Sequence, residues 1–379
     1  MTTVPIQGHC DPRFGAVADA FARNFREEQD IGASFCVFEK GEKVVDLWGG
    51  HADKARTRVW EEDTLVNVWS TTKGMMALCV ARLVDQGRWS YDDPVAKYWP
   101  EFGVRGKDKV TVAQLFSHQA GVCGTSRAIT DAELLDTDTI ASILAAEPPH
   151  WPIGTRSGYH ALSIGPLGDT LFKRAIGKTV GQYFRDEIGG PAKVDFYMGL
   201  PLSEEGRVAE IAHDGNPQSG GPAVFNGYQM MAQVNIPIRA ELANMRAWRA
   251  QGTPSAGGQG NARSVASVYS ALATDRKLNG VELVSRAILD KALTPQIENE
   301  DLVLRFPISW GIGFALNKVM QVYGPNPQAF GHHGWGGSFG FADPGAGLGV
   351  AYAMNFMREP QGAPDPRFMG LVEAVYASV

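Results

Sequence analysis

The sequence predicts an α+β fold: a central antiparallel sheet built from both ends of the chain and flanked by helices, with a mostly helical domain inserted between the two halves of the sheet. Three observations predict it. Short apolar runs bounded by turn residues, the mark of strands, gather near the two ends of the chain. Between them, helical periodicity broken by Gly/Pro-rich loops fills the chain from about residue 60 to about residue 290. No internal repeat or low-complexity stretch interrupts this order. The expected division is a discontinuous α/β sheet domain (residues 1–60 plus 290–379) and a mainly helical domain (61–289), with the functional site between them.

The elements follow in chain order. Asp11 is a plausible N-cap for a helix over residues 11–29, where Phe14, Val17, Phe21 and Phe25 recur at helical spacing. The run SFCVFEKGEKVVDLWGG reads as a β-hairpin turning at Glu39-Lys40-Gly41-Glu42. From Thr71 to Arg88 the chain is apolar on nearly every side, which marks a core helix ending near Gly87. Long loops at Pro148–Gly158 and Pro217–Gly227 are expected to line a binding site. Strands return at SWGIGFALN, VMQVYG, GSFGFADP and GLGVAYAMNFM, and a helix near Arg367–Ala377 closes the chain.

Composition narrows the function classes. With 379 residues, 44% hydrophobic and 20% charged, the chain reads as a soluble globular enzyme. A net charge of −6 without any basic block argues against a nucleic-acid partner. No run of eighteen apolar residues is present, so no membrane span is expected. The start, MTTVPIQGHCDPRF, shows no basic stretch followed by an apolar one. Cys10, Cys36, Cys79 and Cys123 lack C-x-x-C spacing and read as thiols in a reducing compartment, so a cytoplasmic location is expected.

Three segments carry candidate chemistry. Ser70-Thr71-Thr72-Lys73 opens the buried helix, and residues three apart share a helix face, so the Lys73 amine can sit beside the Ser70 hydroxyl. Burial disfavours the charged lysine, and a neutral amine can take the serine proton. The helix start also offers backbone N–H groups to a developing oxyanion. Tyr159 ends a Gly-rich loop, where a phenol beside a cationic lysine has its pKa lowered and can shuttle protons. Gly331-His332-His333-Gly334-Trp335-Gly336-Gly337-Ser338 would let an edge strand approach a ligand closely. Each alone also fits a plain structural role: a solvated lysine at a helix start, a core tyrosine, a glycine-rich turn.

Two rival motifs fail. Gly336-Gly337-Ser338-Phe339-Gly340 fits the G-x-S-x-G elbow, but no histidine follows Ser338, and its surroundings read strand–turn–strand, so substituting Ser338 is expected to be mild. His332 and His333 are adjacent and point to opposite faces of a strand, so they cannot easily share a metal. His118 and His160 read as structural, and no metal or cofactor is expected. Trp69, Trp151, Phe225, Tyr323 and Trp335 are candidates for walling an apolar substrate site.

Together the three segments resemble class C β-lactamases, penicillin-binding proteins and, most closely, family VIII carboxylesterases. Gln86–Val95 followed by Tyr98-Trp99-Pro100 is similar to the family's G-x-L-x-L-D-D-P-V segment. Val110–Gly121 is similar to I-T-V-x-x-L-L-x-H-x-S-G, and residues 331–338 look like the esterase form of the K-T-G strand. The resemblance implies that Ser70 is the acylated nucleophile, Lys73 its base or electrostatic partner, and Tyr159 a second proton-transfer group. It implies an oxyanion hole from the backbone N–H groups of Ser70 and Trp335, with His332, Gly334 and Trp335 at the substrate. Two departures stand out. Tyr159-His160-Ala161 replaces Tyr-x-Asn, and His332-His333-Gly334 replaces Lys-Thr-Gly. A neutral imidazole holds a carboxylate less well than an ammonium, so the expected substrates are short-chain neutral esters, with acyl transfer, weak β-lactam cleavage, D-amino-acid amide or peptide hydrolysis, or a non-catalytic acylated sensor as alternatives.

Overall fold

The computed structural model describes residues 4–213, 225–358 and 365–379, so most of the loop expected at Pro217–Gly227 lies outside the described residues. Nine strands form one antiparallel sheet: β1 (Ile6–Cys10), β2 (Gly32–Glu39), β3 (Glu42–Gly50), β4 (Ile297–Glu300), β5 (Pro307–Trp310), β6 (Ala315–Leu316), β7 (Phe330–His333), β8 (Phe339–Asp343) and β9 (Leu348–Met354). Their order across the sheet is β1-β3-β2-β9-β8-β7-β6-β5-β4. The two ends of the chain meet where β2 pairs with β9, Phe35 opposite Tyr352. The hairpin β2–β3 turns at Lys40-Gly41, both with positive φ, as its sequence predicts.

Alternation along β8 loads both faces of the sheet. Phe339 stacks on Phe368 of the C-terminal helix α5 (Pro366–Tyr376), with ring centroids 4.2 Å apart. That helix packs against α1 (Gly15–Arg26), whose buried face is Val17, Ala20 and Phe21. On the other face lies α4 (Ala262–Ala273), so close to β9 that a Cβ on Gly349 would sit 2.2 Å from the backbone nitrogen of Ser270. Only glycine admits that approach. The expected core helix is α2 (Thr72–Asp85), with every residue from Thr72 to Ala81 buried and Gly87 in the left-handed region just past its end.

Three segments depart from expectation, the unread strand β4 (Ile297–Glu300) among them. VMQVYG is not a strand: Asn317–Met320 is a short helix, held by the Asn317 amide donating to Gly324 O and Asn326 O, while the Asn317 side-chain oxygen accepts from Tyr323 N–H. Local side-chain bonds overrode the β-forming residues there. Strand β1 went unread because it is an edge strand with a largely exposed face, so no apolar alternation marks it.

Asp169, buried in α3 (Ile164–Ile176), accepts from the Val180 N–H at 2.8 Å and so caps the helix starting at Val180. Burial pushes its carboxyl up to about 7. Between an unfolded value of 3.8 and about 7, the folded chain therefore binds a proton that the unfolded chain does not. Stability falls as pH rises through that window and is flat above it. Asp169→Asn keeps an oxygen for the Val180 N–H and removes the charge. Its melting temperature should exceed that of the wild type by about 3 °C or more at pH 8, and by clearly less at pH 5. Calorimetry at the two pH values checks this, and an equal shift at both would refute the assignment.

Candidate active site

The Ser70 turn begins where Val68 N–H bonds Gly258 O and the chain bends through the 3-10 turn Trp69–Thr71 into α2. Trp69 adopts φ +46°, a left-handed conformation that a bulky residue holds only under constraint. Its ring is buried against Trp248 (5.9 Å) and Trp335 (4.9 Å between centroids). Three residues after Ser70, the Lys73 amine is buried and lies 2.9 Å from Ser70 Oγ, 2.8 Å from Ala161 O and 2.8 Å from Ser255 O. Burial pushes this amine well below the ordinary lysine range. A neutral amine has two hydrogens and one lone pair: the two carbonyls take the hydrogens and leave the lone pair to the Ser70 hydroxyl. An amine that took the serine proton would donate to all three oxygens, so such a transfer would need no rearrangement.

Tyr159 closes the site from the other side. The Lys73 nitrogen sits 4.8 Å from the centre of its ring. Trp310 stacks parallel to the phenol at 5.6 Å, His332 at 6.0 Å, and His118 meets it edge-on at 5.0 Å. The expectation of a lowered phenol pKa is corrected here. Burial lifts Tyr159 above its ordinary value, outweighing the Ser70 hydroxyl that pulls it down. The lysine assumed to be cationic is itself driven towards neutrality, so no buried positive charge offsets the burial.

The residue that fixes Tyr159 was missed in the sequence. Asp301, fully buried, accepts from Tyr159 N–H (2.9 Å), Ser157 Oγ–H (2.7 Å), Val303 N–H, Leu304 N–H and the Trp310 indole N–H. It joins the Tyr159 loop to the segment before β5. Nothing in Glu300-Asp301-Leu302 distinguishes it from a surface acid.

The third segment forms the end of β7 and the turn into β8. Strand β6 covers only Phe330 and Gly331, so His332 and His333 pair with β8 alone and leave that stretch as a local edge. His332 is buried, and its Nδ1 lies 2.9 Å from His333 O, which makes Nδ1 the donor and leaves Nε2 as an acceptor enclosed by protein. Burial holds its ring well below the ordinary histidine value and holds His333 at about 4, so both are neutral. A Cβ on Gly334 would lie 2.4 Å from Val68 O, so this turn rests directly on the Ser70 turn. Ser338 is buried on a strand–turn–strand path, as its sequence suggests, and the turn brings Trp335, half-buried, against Trp69.

The remaining candidates separate. Trp69, Trp151 and Tyr323 are buried, whereas Phe225 and Trp335 are half-buried. His118 takes the His160 N–H on its Nδ1 at 3.2 Å, and His160 Nδ1 lies 2.7 Å from Gly158 O. Both rings are held below the ordinary histidine value by burial, His160 at about 4. Among the described residues no three His, Cys, Asp or Glu side chains group as metal ligands, and no helix is long and apolar enough to cross a membrane.

Comparison with known proteins agrees over nearly the whole chain. The family described as Beta-lactamase matches residues 21–374. The Esterase/beta-lactamase LipL of Mycobacterium tuberculosis is 34% identical over 94% of this chain and 84% of its own. The solved structure of a family VIII carboxylesterase superposes with a TM-score of 0.92 at 44% identity, covering 99% of this chain and 100% of that one. A penicillin-binding protein homologue from Caulobacter crescentus superposes equally well, with a TM-score of 0.92, at 42% identity and with the same coverage.

Proposed function

The chain belongs to the beta-lactamase family, and from that premise we propose that it is a serine carboxylesterase acting on short-chain neutral esters through an acyl-enzyme on Ser70. One observation carries the reading: the Lys73 amine, buried and flanked by two carbonyls, has its remaining tetrahedral position at Ser70 Oγ. Ser70 attacks the ester carbonyl as Lys73 takes its proton. The backbone N–H groups of Ser70 and Trp335 receive the oxyanion. Tyr159, neutral and buried beside Ser70, is the second station for the proton as the alcohol leaves and as water enters.

The substrate class follows from His332. A carboxylate beside it would meet a neutral ring whose Nδ1 hydrogen is already given to His333 O. Losing a charge-assisted bond to a carboxylate costs on the order of 1.5–3 kcal/mol, roughly ten- to a hundred-fold in rate. Neutral esters do not use that contact. The relative named for both esterase and β-lactamase supports β-lactam cleavage as the second reading.

Values of kcat/KM on p-nitrophenyl acetate and on a chromogenic cephalosporin test the proposal. The ester should be the better substrate by at least about tenfold. His332→Lys should raise the cephalosporin-to-ester ratio. A wild-type enzyme that cleaves the two equally, or a folded variant whose ratio does not move, removes His332 as the discriminating residue.

A further inference from the structure

The two N–H groups assigned to the oxyanion hole sit on separate pieces of chain, the turn at Ser70 and the turn at Trp335. Something must hold them in register. Ser338 touches both. Its buried hydroxyl donates to Val68 O at 2.8 Å and lies 3.2 Å from Thr71 Oγ1. A hydroxyl has one hydrogen, so with that hydrogen on Val68 O, Ser338 Oγ accepts from the Thr71 hydroxyl. Val68 and Thr71 flank Trp69-Ser70 on either side. Through its backbone, Ser338 O accepts the Gly334 N–H at 2.6 Å, closing the turn that carries Trp335. The far side of that turn is fixed independently: Arg367, fully buried between Asp30 and Asp365, donates to Gly336 O at 2.7 Å. Held from behind, the turn has its approach to Ser70 set by the Ser338 hydroxyl.

We propose that Ser338 is a positioning residue of the oxyanion hole, its hydroxyl locking the Trp335 turn onto the Ser70 turn so that both N–H groups address the same oxygen. This rests on the reading that Ser70 is acylated, and it replaces the expectation that Ser338 is incidental. A residue with this role acts when the oxygen becomes tetrahedral and anionic, not when substrate first binds. Loss of a whole oxyanion donor lowers kcat by about 10²–10³-fold, and loosening one is a fraction of that.

The test uses Ser338→Ala and Thr71→Val, checked for folding by circular dichroism and melting, with p-nitrophenyl acetate as substrate and phenylboronic acid as the tetrahedral mimic. Ser338→Ala should lower kcat by about tenfold or more with KM within about twofold, and weaken the boronate by a similar factor. Thr71→Val, which removes only one of the hydroxyl's two contacts, should move the same quantities by about threefold. It carries the test if Ser338→Ala does not fold. Folded variants with wild-type kcat and boronate affinity overturn the inference, as does a rise in KM at unchanged kcat. If the boronate fails to add to Ser70 of the wild-type protein, it is the acyl-enzyme reading itself that falls.

Discussion

Ser70→Ala is expected to lower ester turnover by about 10⁴-fold or more, leaving only what binding and the oxyanion donors supply. The size follows from the absence of a substitute: the only other serine in a hydrolase-like motif, Ser338, already gives its hydrogen to Val68 O and is shut away from solvent. Ser338→Ala should therefore fall short of Ser70→Ala by two or more orders of magnitude. An activated phosphonate should label Ser70 alone, read by peptide mass spectrometry. Label on Ser338, or a Ser70→Ala protein with most of its activity, would be incompatible with the mechanism.

Lys73→Ala and Tyr159→Phe should each lower kcat by about 10³-fold or more, and the double variant should be scarcely worse than either. Non-additivity is expected because the Lys73 amine lies over the Tyr159 ring and both groups serve one serine proton. The pH profile gives an independent check. In the proposed mechanism Lys73 acts as the neutral amine, and burial places its pKa well below the ordinary value. Activity should thus rise with pH through the lysine's depressed pKa and level off, instead of climbing towards the usual lysine range. Tyr159, held protonated by burial, should add no ionisation near neutral pH. Losses that add in log kcat, or an activity still rising at the ordinary lysine pKa, would contradict the coupling.

The parts of this site that were legible in the sequence are those that depend on short spacing. Ser70 and Lys73 meet because three residues make a helical step, and the glycines of 331–337 announce a turn whatever surrounds it. The sheet's assembly from both ends was legible for a similar reason, since apolar alternation is a local signal. What stayed hidden acts across the chain. The acceptors that organise Lys73 are main-chain carbonyls of Ala161 and Ser255, and a carbonyl has no residue signature. Asp301 reaches back to Tyr159 from a segment that reads as ordinary surface. The direction of the Tyr159 shift was misjudged because neighbouring charge can be guessed from a motif, whereas burial cannot.

The pairing of β2 with β9 has a consequence for how the molecule comes into being. Phe35 leaves the ribosome long before its partner Tyr352, so the middle of the sheet cannot close until the whole intervening segment has been made. During synthesis β2 remains an open edge with apolar residues on it, a segment that a growing chain must keep from pairing with another copy. The same timing governs catalysis. Ser70 and Lys73 can form their helix early, but Trp335 and Ser338 arrive with the closing strands. On the proposed mechanism a nascent chain would have its nucleophile long before its oxyanion hole, and esterase activity should appear together with native structure during refolding, not ahead of it.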